Sequence, residues 1–465
     1  MKKGYIAYIA LIIIALMVPF VGMSFWMTTE TTENKEMSRW PQLIEDGNYN
    51  TDYLEEAGTY FEEHMAFRLQ MLTANSAIWG KIFHTSTTDQ VIVGEDDWLY
   101  YGGTANDYTG RDLLSDRELY NIVYNLSLVQ ESMEKNGSQF LLALIPNKNT
   151  LYGDHMPYYY QPGTDSNLDR LNKLLEQNNI HFIDLKEAFQ NEEEVLYFKR
   201  DSHWNNKGAV LAYNEILDYL GKDHETYLNV PYEVRTDHVG DIDEILYPLA
   251  AEKEEDFYYE KDWEYQYVND VTDNMDAWIE TVNAQKEGSL LMYRDSFGES
   301  ILPFLAEEYG NAYFSRLVPY NFGNIIQYHP DVVIIERVER NISALATEIP
   351  IMEAPETDNV AAAERQTNST IECRKSGGYL EINGSIEQEL VEDDTEIVVC
   401  VSDADRTNMK TYKPFYTLTE DGNGNGYSMY LNYAELPSDF LHINVICKNG
   451  ENAAIVASED ISLEE

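Results

Sequence analysis

Two short motifs together supply an acid, an imidazole and a hydroxyl, the three groups that make a serine nucleophilic. Asp201-Ser202-His203-Trp204 provides the acid and the imidazole, and Arg294-Asp295-Ser296-Phe297 provides the hydroxyl. In such a triad the histidine takes the hydroxyl proton, and the carboxylate holds the imidazole in the right tautomer. We therefore predict Ser296 as the nucleophile, His203 as the general base and Asp201 as the residue that orients His203. A structural role is the alternative for each motif alone, with Ser296 in an ordinary loop and Asp201 capping a helix that begins near Asn205.

The elements around the motifs are typical of an α/β fold. Continuous apolar runs at 139–145 and 289–293 predict strands buried on both faces, and further strands are expected at 181–185 and 331–335. Helices are expected at 166–178 and after Asn205, which predicts a parallel sheet with helices on both sides. Ser296 then follows a strand at the carboxyl edge of the sheet, where open α/β sheets bind ligands. The acidic, tyrosine-rich stretch 222–286 breaks the pattern and predicts an insertion over the site.

The two motifs also resemble a known family. Asp201-x-His203-Trp204 followed by Asp295-Ser296-Phe297 resembles the AlgX/AlgJ-like and DHHW-type proteins, extracytoplasmic relatives of the SGNH hydrolases that O-acetylate polysaccharides. The Asp-x-His motif precedes the serine, as in the AlgX-like branch. The resemblance covers roughly residues 50–345, and four further segments fit it in the same order: Glu63–Arg68, Gly94–Tyr100, Ile145–Lys148 and His329–Arg337. Arg294 stands where the family has glycine.

The resemblance implies an SGNH-hydrolase-like catalytic domain that transfers an acetyl group through an acetyl-serine intermediate, without a cofactor. It also implies a polysaccharide acceptor and an MBOAT-type membrane protein as the partner that supplies acetyl. The backbone N–H of Ser296 is the first candidate donor to the oxyanion. Asn147, Lys148, Arg316 and Trp204 are further candidates for oxyanion or substrate contacts. Structural roles remain open for these four: helix capping for the first two, a surface salt bridge for Arg316, and packing behind the triad for Trp204.

Two acid-histidine pairs raise the question of a metal site. The pairs are Asp154-His155 and Asp237-His238, the second of which has Asp241 and Asp243 close by in sequence. Such pairs arise by chance in a chain this acidic, so we predict no metal.

The start of the chain predicts a membrane anchor. An uncharged run from Gly4 to Trp26 follows Met1-Lys2-Lys3. At about 1.5 Å per residue this run is long enough to cross a ~30 Å hydrocarbon core. The lysines place the start inside and the rest of the chain outside the cell. A cleaved signal peptide is the alternative, although the run is long for one and lacks a clear small-x-small site. We predict a single-pass cell-membrane protein with an extracytoplasmic catalytic domain.

Composition excludes one class of partner. The chain has 82 acidic and 32 basic residues and a net charge of −50, which excludes a basic nucleic-acid-binding surface. Such acidity is also what keeps a secreted domain soluble. The three cysteines, Cys373, Cys400 and Cys447, all lie near the C-terminus. They allow one disulfide outside the cell, and its pairing cannot be deduced from the sequence.

Four regions follow from these patterns. We predict an anchor at 1–27, a stalk with an amphipathic helical region at 28–89, the catalytic domain at 90–350 and a small β-sandwich at 360–465. The last region begins with a linker-like stretch at 361–369 and continues with short strands and no helix. Glycan binding and a spacer role are both open for it.

Three functions from different classes remain at this point. The first is the O-acetyltransferase. The second is an esterase or deacetylase that uses the same triad with water as acceptor, since the two reactions differ only in which nucleophile reaches the acyl-enzyme. The third is a non-catalytic wall protein that binds glycan.

Overall fold

The computed structural model describes residues 2–29, 37–45 and 47–463. The stalk predicted between residues 28 and 50 therefore lies partly outside the described residues. The N-terminal region contains, in chain order, α1 (Lys2–Gly22), β1 (Ile44–Glu45), β2 (Asn48–Tyr49), α2 (Tyr53–His64) and α3 (Arg68–Phe83). Among the described helices, α1 is long and apolar enough to cross a bilayer, over Gly4–Gly22 with a mean hydropathy of 2.4.

The end of α1 is tied to the turn between α2 and α3. Phe20 stacks on Phe61 with ring centroids 5.5 Å apart. The Thr28 hydroxyl donates to the Met65 carbonyl oxygen at 2.7 Å. The amphipathic helical region predicted within 28–89 is thus two helices, and they are separated where Phe67 adopts a left-handed φ of 63°. These contacts place the first folded elements directly beside the end of the apolar helix.

The central region carries the alternation of strands and helices that the sequence predicts. Its elements are β3 (Val91–Val93), β4 (Leu99–Tyr101), α4 (Ala105–Tyr108), α5 (Asp116–Lys135), β5 (Gln139–Ile145), α6 (Lys148–Leu151), α7 (Asn167–Gln177), β6 (Phe182–Asp184), α8 (Lys186–Gln190), α9 (Asn206–Leu220), β7 (Tyr232–Val239), α10 (Asp241–Leu246), β8 (Lys253–Tyr259), β9 (Gln266–Tyr267), β10 (Trp278–Val282), β11 (Ser289–Tyr293), α11 (Gly298–Glu308), β12 (Asn311–Ser315), α12 (Gly323–Tyr328) and β13 (Val332–Val338). A 3₁₀ helix, Glu339–Ala346, follows β13.

Seven of these strands form the main sheet, in the order β6-β5-β13-β11-β12-β10-β9. The first five are parallel to their neighbours, as predicted. β10, however, pairs antiparallel with both β12 and β9. Parallel neighbours need a crossover helix, and the connections at 268–277 and 283–288 contain none. The sheet is therefore mixed at this edge, and the second half of the predicted insertion at 222–286 extends it.

Side chains of the main sheet are buried on both faces. In β11, Leu290 and Met292 belong to a buried cluster with α9 and α11, whereas Leu291 and Tyr293 belong to a second cluster with α5 and α7. Alternate residues of a strand point to opposite faces, so a strand covered on both sides is apolar without interruption. This explains the continuous run that predicted β11, and it fixes where the chain leaves the sheet after Tyr293.

The C-terminal region contains ten strands: β14 (Glu356–Thr357), β15 (Ala363–Glu364), β16 (Glu372–Ser376), β17 (Tyr379–Ser385), β18 (Glu396–Asp403), β19 (Met409–Tyr412), β20 (Phe415–Thr417), β21 (Gly426–Asn432), β22 (Phe440–Asn449) and β23 (Asn452–Ser462). They form a six-stranded sheet, β14-β19-β18-β22-β23-β15, and a four-stranded sheet, β16-β17-β21-β20. Side chains from both sheets share one buried cluster.

The stretch 361–369 differs from the sequence prediction, and the state of the three cysteines answers a question that the sequence leaves undecided. The stretch 361–369, expected as a linker, contains β15, which pairs with β23, and the Arg365 N–H donates to the Ile455 carbonyl oxygen at 2.9 Å. The backbone of this stretch completes a sheet edge, which composition does not reveal. Cys373, Cys400 and Cys447 are all free thiols.

The C-terminal sheets are docked on helix α5. Asn125 donates its amide to the Tyr416 carbonyl oxygen and accepts from the Tyr416 N–H, both at 2.8 Å. The Tyr124 and Tyr416 rings stack with centroids 3.9 Å apart. Arg117 donates to the carbonyl oxygens of Gly424, at 3.0 Å, and of Thr395, at 2.7 Å. A side chain on Gly424 would collide with Arg117, so the glycine permits this close approach.

We expect Asn125→Ala to lower the stability of the protein. The variant leaves the buried N–H and carbonyl of Tyr416 without partners, so the free energy of unfolding should fall by about 2–4 kcal/mol. Urea denaturation followed by circular dichroism measures this change. Glu131→Ala, at an exposed position of the same helix, is the control and should stay within about 0.5 kcal/mol of the wild type. Equal midpoints for the two variants would mean that the docking contact adds no stability.

Candidate active site

Ser296 lies in the turn between β11 and α11, at the carboxyl edge of the parallel strands. Its Oγ is 2.8 Å from Nε2 of His203. The turn is held by Asp295, whose carboxylate accepts from the N–H groups of Phe297, at 3.0 Å, and of Val338, at 2.9 Å. The N–H of Asp295 donates in turn to Oε2 of Glu336 at 2.8 Å. The turn that carries Ser296 is therefore tied to the end of the neighbouring strand β13.

Glu336 and Asp295 share this buried position unequally. Burial and the adjacent charge of Asp295 raise the pKa of Glu336 well above its ordinary value. Burial also acts on Asp295, but the charge of Arg340 and the two backbone N–H donors outweigh it and lower the pKa of Asp295. These opposite shifts favour the proton on Glu336 and the charge on Asp295, an arrangement that avoids two adjacent buried charges.

Arg294, the departure from the family pattern, fits because Gly298 leaves room for it. A Cβ on Gly298 would lie 2.6 Å from Cδ of Arg294. The guanidinium of Arg294 donates to the Asn274 carbonyl oxygen, and that of Arg316 donates to the Met275 carbonyl oxygen at 2.8 Å. Both arginines thus fix the segment 274–275, which forms part of the wall of the cleft.

The second motif lies just before α9. Nδ1 of His203 is 2.7 Å from Oδ1 of Asp201. Asn205 caps α9 by accepting from the Gly208 N–H at 3.1 Å, so Asp201 is not the cap residue. Trp204 is buried with 1% of its surface exposed, and its indole N–H donates to the Ser300 hydroxyl at 2.6 Å. Trp204 therefore packs behind the triad.

The carboxylate of Asp201 is surrounded by donors. Oδ1 also accepts from the His203 backbone N–H at 2.8 Å, while Oδ2 accepts from Nε2 of His238 at 2.9 Å and from the Asp241 N–H at 3.1 Å. Burial opposes ionisation, but the two imidazoles outweigh it and hold the pKa of Asp201 well below its ordinary value. Burial likewise disfavours the charged form of His203, yet the hydrogen bond and charge of Asp201 raise the pKa of His203.

Asp241 supports the residue between the acid and the base. It accepts from the Ser202 N–H at 2.8 Å and from the Ser202 hydroxyl at 2.6 Å. One ligand atom each of Asp201, His203 and Asp241 lie within 4.8 Å of one another, close enough to hold a metal ion. Each of the three side chains is already hydrogen-bonded to protein groups, and these bonds account for the cluster without an ion.

Lys148 and Asn147 lie elsewhere than predicted. The Lys148 ammonium donates to the carbonyl oxygens of Phe198, Lys199 and Asp201, at 3.2, 3.0 and 2.5 Å. Burial lowers the pKa of Lys148 to about 8, against the opposing charges of Asp201 and Asp241. Lys148 thus holds the backbone that carries the acid and is not an oxyanion donor.

Asn147 is hydrogen-bonded to two acidic side chains. Its backbone N–H donates to Glu339 at 2.8 Å and its amide to Asp107 at 2.7 Å. Burial is the main cause that raises the pKa of Glu339 to about 8 and that of Asp107 to about 6. Neither Asn147 nor Lys148 lines the cleft, because the chain turns away from it after β5. Arg316 does line the cleft, but its guanidinium donates to the Met275 carbonyl oxygen in the cleft wall.

The triad opens into a cleft of about 1030 Å³. One side of the cleft is closed by the hairpin β7–β8, helix α10 and the segment 263–265. These elements belong to the stretch 222–286, which the sequence predicts as an insertion over the site. The cleft is rich in aromatic side chains from this insertion and from α11: Phe257, Tyr258, Tyr259, Trp263, Tyr265 and Phe304. The carboxylates of Glu244 and Glu299 also line it.

Two of the donors in the cleft that have no acceptor among the described residues concern the chemistry at Ser296. One is the backbone N–H of Ser296. The other is the guanidinium of Arg340, which lies over the rings of Phe297 and Tyr101, 5.2 and 5.7 Å from their centroids, and makes no ion pair in the described part of the chain. Both are available to a negative charge that develops on a bound acyl group.

Sequence reasoning missed His238, Asp241 and Arg340. Asp237-His238 was visible as an acid-histidine pair, but only the folded hairpin brings the imidazole to Asp201. Arg340 lies three residues after Arg337, the last residue of a segment that resembles the family. This closeness is the sequence feature that could have pointed to Arg340.

We expect Glu336→Gln to be tolerated and Glu336→Leu to be damaging. Glutamine keeps an acceptor for the Asp295 N–H and a donor in place of the carboxylic proton, whereas leucine leaves that N–H unpaired at a cost of about 1–3 kcal/mol. Thermal unfolding and the rate of hydrolysis of a small acetyl ester measure the difference. If both variants lose stability equally, Glu336 is ionised and the assignment of the proton is wrong.

Part of this region is similar to a known family. Residues 91–271 match the model described as "SGNH hydrolase-like domain, acetyltransferase AlgX", a stretch that contains Asp201 and His203 and ends before Ser296. The probable alginate O-acetylase AlgJ of Pseudomonas syringae pv. tomato is 25% identical over 190 residues, which are 39% of this chain and 46% of that protein. The chain spans about half the length of the curated relatives it matches.

Two solved structures also match part of the chain. Bacillus cereus PatB1 has a TM-score of 0.45 and 18% identity over 54% of this chain and 96% of that one. The O-acetyltransferase domain of Pseudomonas putida AlgJ has a TM-score of 0.37 and 16% identity over 54% of this chain and 92% of that one. At these scores the assignment depends on the match at 91–271 and on the curated relatives. Over residues 91–271, the chain is therefore similar to the SGNH hydrolase-like domain of the AlgX/AlgJ-like proteins.

Proposed function

We propose that the protein is an O-acetyltransferase that acetylates hydroxyl groups of a cell-surface or secreted polysaccharide. The observation that carries the proposal is the hydrogen-bonded row of Ser296, His203 and Asp201, with distances of 2.8 and 2.7 Å, at the floor of an open cleft. The names of its relatives support the acetyl group and the polysaccharide, since these are called alginate O-acetylases.

In the first half of the reaction, His203 takes the proton from Oγ of Ser296 as the oxygen attacks the carbonyl carbon of an acetyl donor. The tetrahedral intermediate collapses when the bond from this carbon to the donor's leaving group breaks. The leaving group takes the proton from His203. Ser296 is then acetylated, and Asp201 has held the imidazole in one tautomer throughout.

In the second half, a sugar hydroxyl gives its proton to His203 and attacks the acetyl-serine. The ester bond to Ser296 breaks, and Oγ recovers the proton from His203. The oxyanion that forms in both halves needs donors aimed at it. The free N–H of Ser296 and the unpaired guanidinium of Arg340 are the groups that we assign to this role, instead of Asn147 and Lys148.

The walls of the cleft suit a sugar acceptor. Aromatic rings offer flat apolar surfaces to the C–H faces of sugars while the hydroxyl groups remain free for polar contacts. Trp263 and Tyr265 line the cleft on the side of the insertion, and the buried ring of Phe304 packs against Trp263 from below. The acceptor in this proposal lies along these rings with one hydroxyl directed at Ser296.

The proposal includes a location and a domain organisation. α1 anchors the chain in the cell membrane, the catalytic unit at 90–350 faces outward, and an MBOAT-type membrane protein delivers the acetyl group from inside. The two C-terminal sheets form a β-sandwich at 360–465 that holds glycan or spaces the catalytic unit from the surface.

Substitution of the triad tests the function. Ser296→Ala should lower both acetyl transfer to an oligosaccharide and hydrolysis of a small acetyl ester by several orders of magnitude, with the fold intact. His203→Ala should cost a similar factor and the double variant little more, because the two residues act as a unit. Mass spectrometry of the sugar and release of acetate are the measurements.

The same assay separates the competing functions. Release of acetate without acetylation of any sugar offered would make the protein a hydrolase. A Ser296→Ala variant that keeps most of its activity would show that the nucleophile is misassigned. Glu131→Ala, an exposed change far from the cleft, serves as the control for handling and stability.

The pH dependence of ester hydrolysis should report on His203. His203 must be neutral to act as a base, and Asp201 raises its pKa above the ordinary 6.5. Activity should therefore be lost as the pH falls through a value above 6.5 and should be level above it. Asp201→Asn removes the charge, so the acid limb should move to lower pH while the maximal rate drops.

The matched control for this prediction is Asp460→Asn. Asp460 lies 2.7 Å from Nδ1 of His442 in the C-terminal sheets, so it is also an acid beside a histidine but lies outside the cleft. Its substitution should leave the pH profile of ester hydrolysis unchanged. An acid limb that Asp201→Asn does not move would contradict the assigned role of Asp201.

A further inference from the structure

A second histidine lies on the far side of the catalytic acid. His238 is near the end of β7, where the register of the β7–β8 hairpin shifts between Thr236 and His238. Its Nε2 is 2.9 Å from Oδ2 of Asp201, the oxygen that does not face His203. Because an ionised carboxylate only accepts, His238 is the donor in this contact.

The orientation of the His238 ring is fixed by stacking. The ring lies parallel to Phe198, with centroids 3.7 Å apart and an angle of 8° between the planes. Phe198 belongs to the backbone segment whose carbonyl oxygens Lys148 holds. The same buried lysine therefore supports both Asp201 and the ring against which His238 packs.

The Asp201 carboxylate has no lone pair to spare in this arrangement. Oδ1 takes the side chain and backbone N–H of His203, and Oδ2 takes His238 and the Asp241 N–H. Loss of the His238 donor would leave Oδ2 with one backbone partner and let the carboxylate rotate. Rotation of the carboxylate would withdraw Oδ1 from the plane in which Nδ1 of His203 donates.

We propose that His238 is a positioning residue, which extends the row Ser296–His203–Asp201 to a fourth member and holds the carboxylate in the plane of His203. The inference depends on the proposed function only in that Ser296 is the nucleophile. His238 touches no reacting atom, so it acts on catalysis through Asp201 alone.

The test is a set of variants in the full chain in detergent, assayed by hydrolysis of p-nitrophenyl acetate. His238→Leu removes the donor and should lower kcat by about 10- to 100-fold with KM changed less than about twofold, as outer-shell partners typically do. His238→Gln places an amide N–H near the position of Nε2 and should restore kcat to within about threefold of the wild type. His238→Asn, whose amide is too short to reach Oδ2, should behave like His238→Leu.

Controls separate this inference from the proposed function. His181→Leu changes a half-exposed histidine outside the cleft and should leave both constants unchanged. Equal loss in the glutamine, asparagine and leucine variants, or wild-type kcat in His238→Leu, would overturn the positioning role alone. If the wild type neither hydrolyses the ester nor has Ser296 modified by phenylmethylsulfonyl fluoride, the proposed function fails and this inference fails with it.

Discussion

The carboxylate of Asp201 is the point on which the site depends, because its four hydrogen bonds join its own loop to the stretch 238–241, which lies 37 to 40 residues further along the chain. His203 lies on the same loop, His238 on the β7–β8 hairpin and Asp241 at the start of α10. A buried carboxylate is costly unless it is well satisfied. Complete satisfaction is what keeps Asp201 ionised beside His203 and what makes the hairpin part of the site instead of a loop that merely covers it.

Support for this carboxylate extends to the backbone beneath it. Lys148 is buried and has its three donors on three carbonyl oxygens of the loop, so the loop has one arrangement. On the other side of the cleft, the Ser296 turn is held by Asp295 and Glu336, whose pKa values are shifted in opposite directions. Both halves of the site are thus positioned by buried polar groups and not by apolar packing alone.

The sequence predicted what local patterns encode. The strands at 139–145 and 289–293 were found because unbroken apolar runs require burial on both faces, and the two motifs were found because their residue types carry the chemistry. The antiparallel edge formed by β10, the backbone role of Lys148 and the arrival of His238 depend on contacts between residues far apart in the chain. No spacing in the sequence encodes such contacts, so these features become visible only in the folded chain.

Residues that look anomalous alone are explained in pairs. Arg294 is bulky for a tight turn, but the absence of a side chain at Gly298 gives it space, and its charge is used to hold the carbonyl oxygen of Asn274. Gly424 does the same for Arg117 at the contact between α5 and the C-terminal sheets. A side chain at either glycine would therefore require its paired arginine to move or to be replaced by a smaller residue.

The contact between α5 and the C-terminal sheets has a consequence for mechanics. Modules joined by flexible linkers explore a range of distances, and the length of the linker then sets the local concentration of one for the other. Here Asn125, Arg117 and the stacked tyrosines remove that freedom, and 361–369 is built into a sheet edge. The C-terminal sheets are thus held at a fixed distance and orientation relative to the cleft. Any polymer that contacts both must therefore span that one distance.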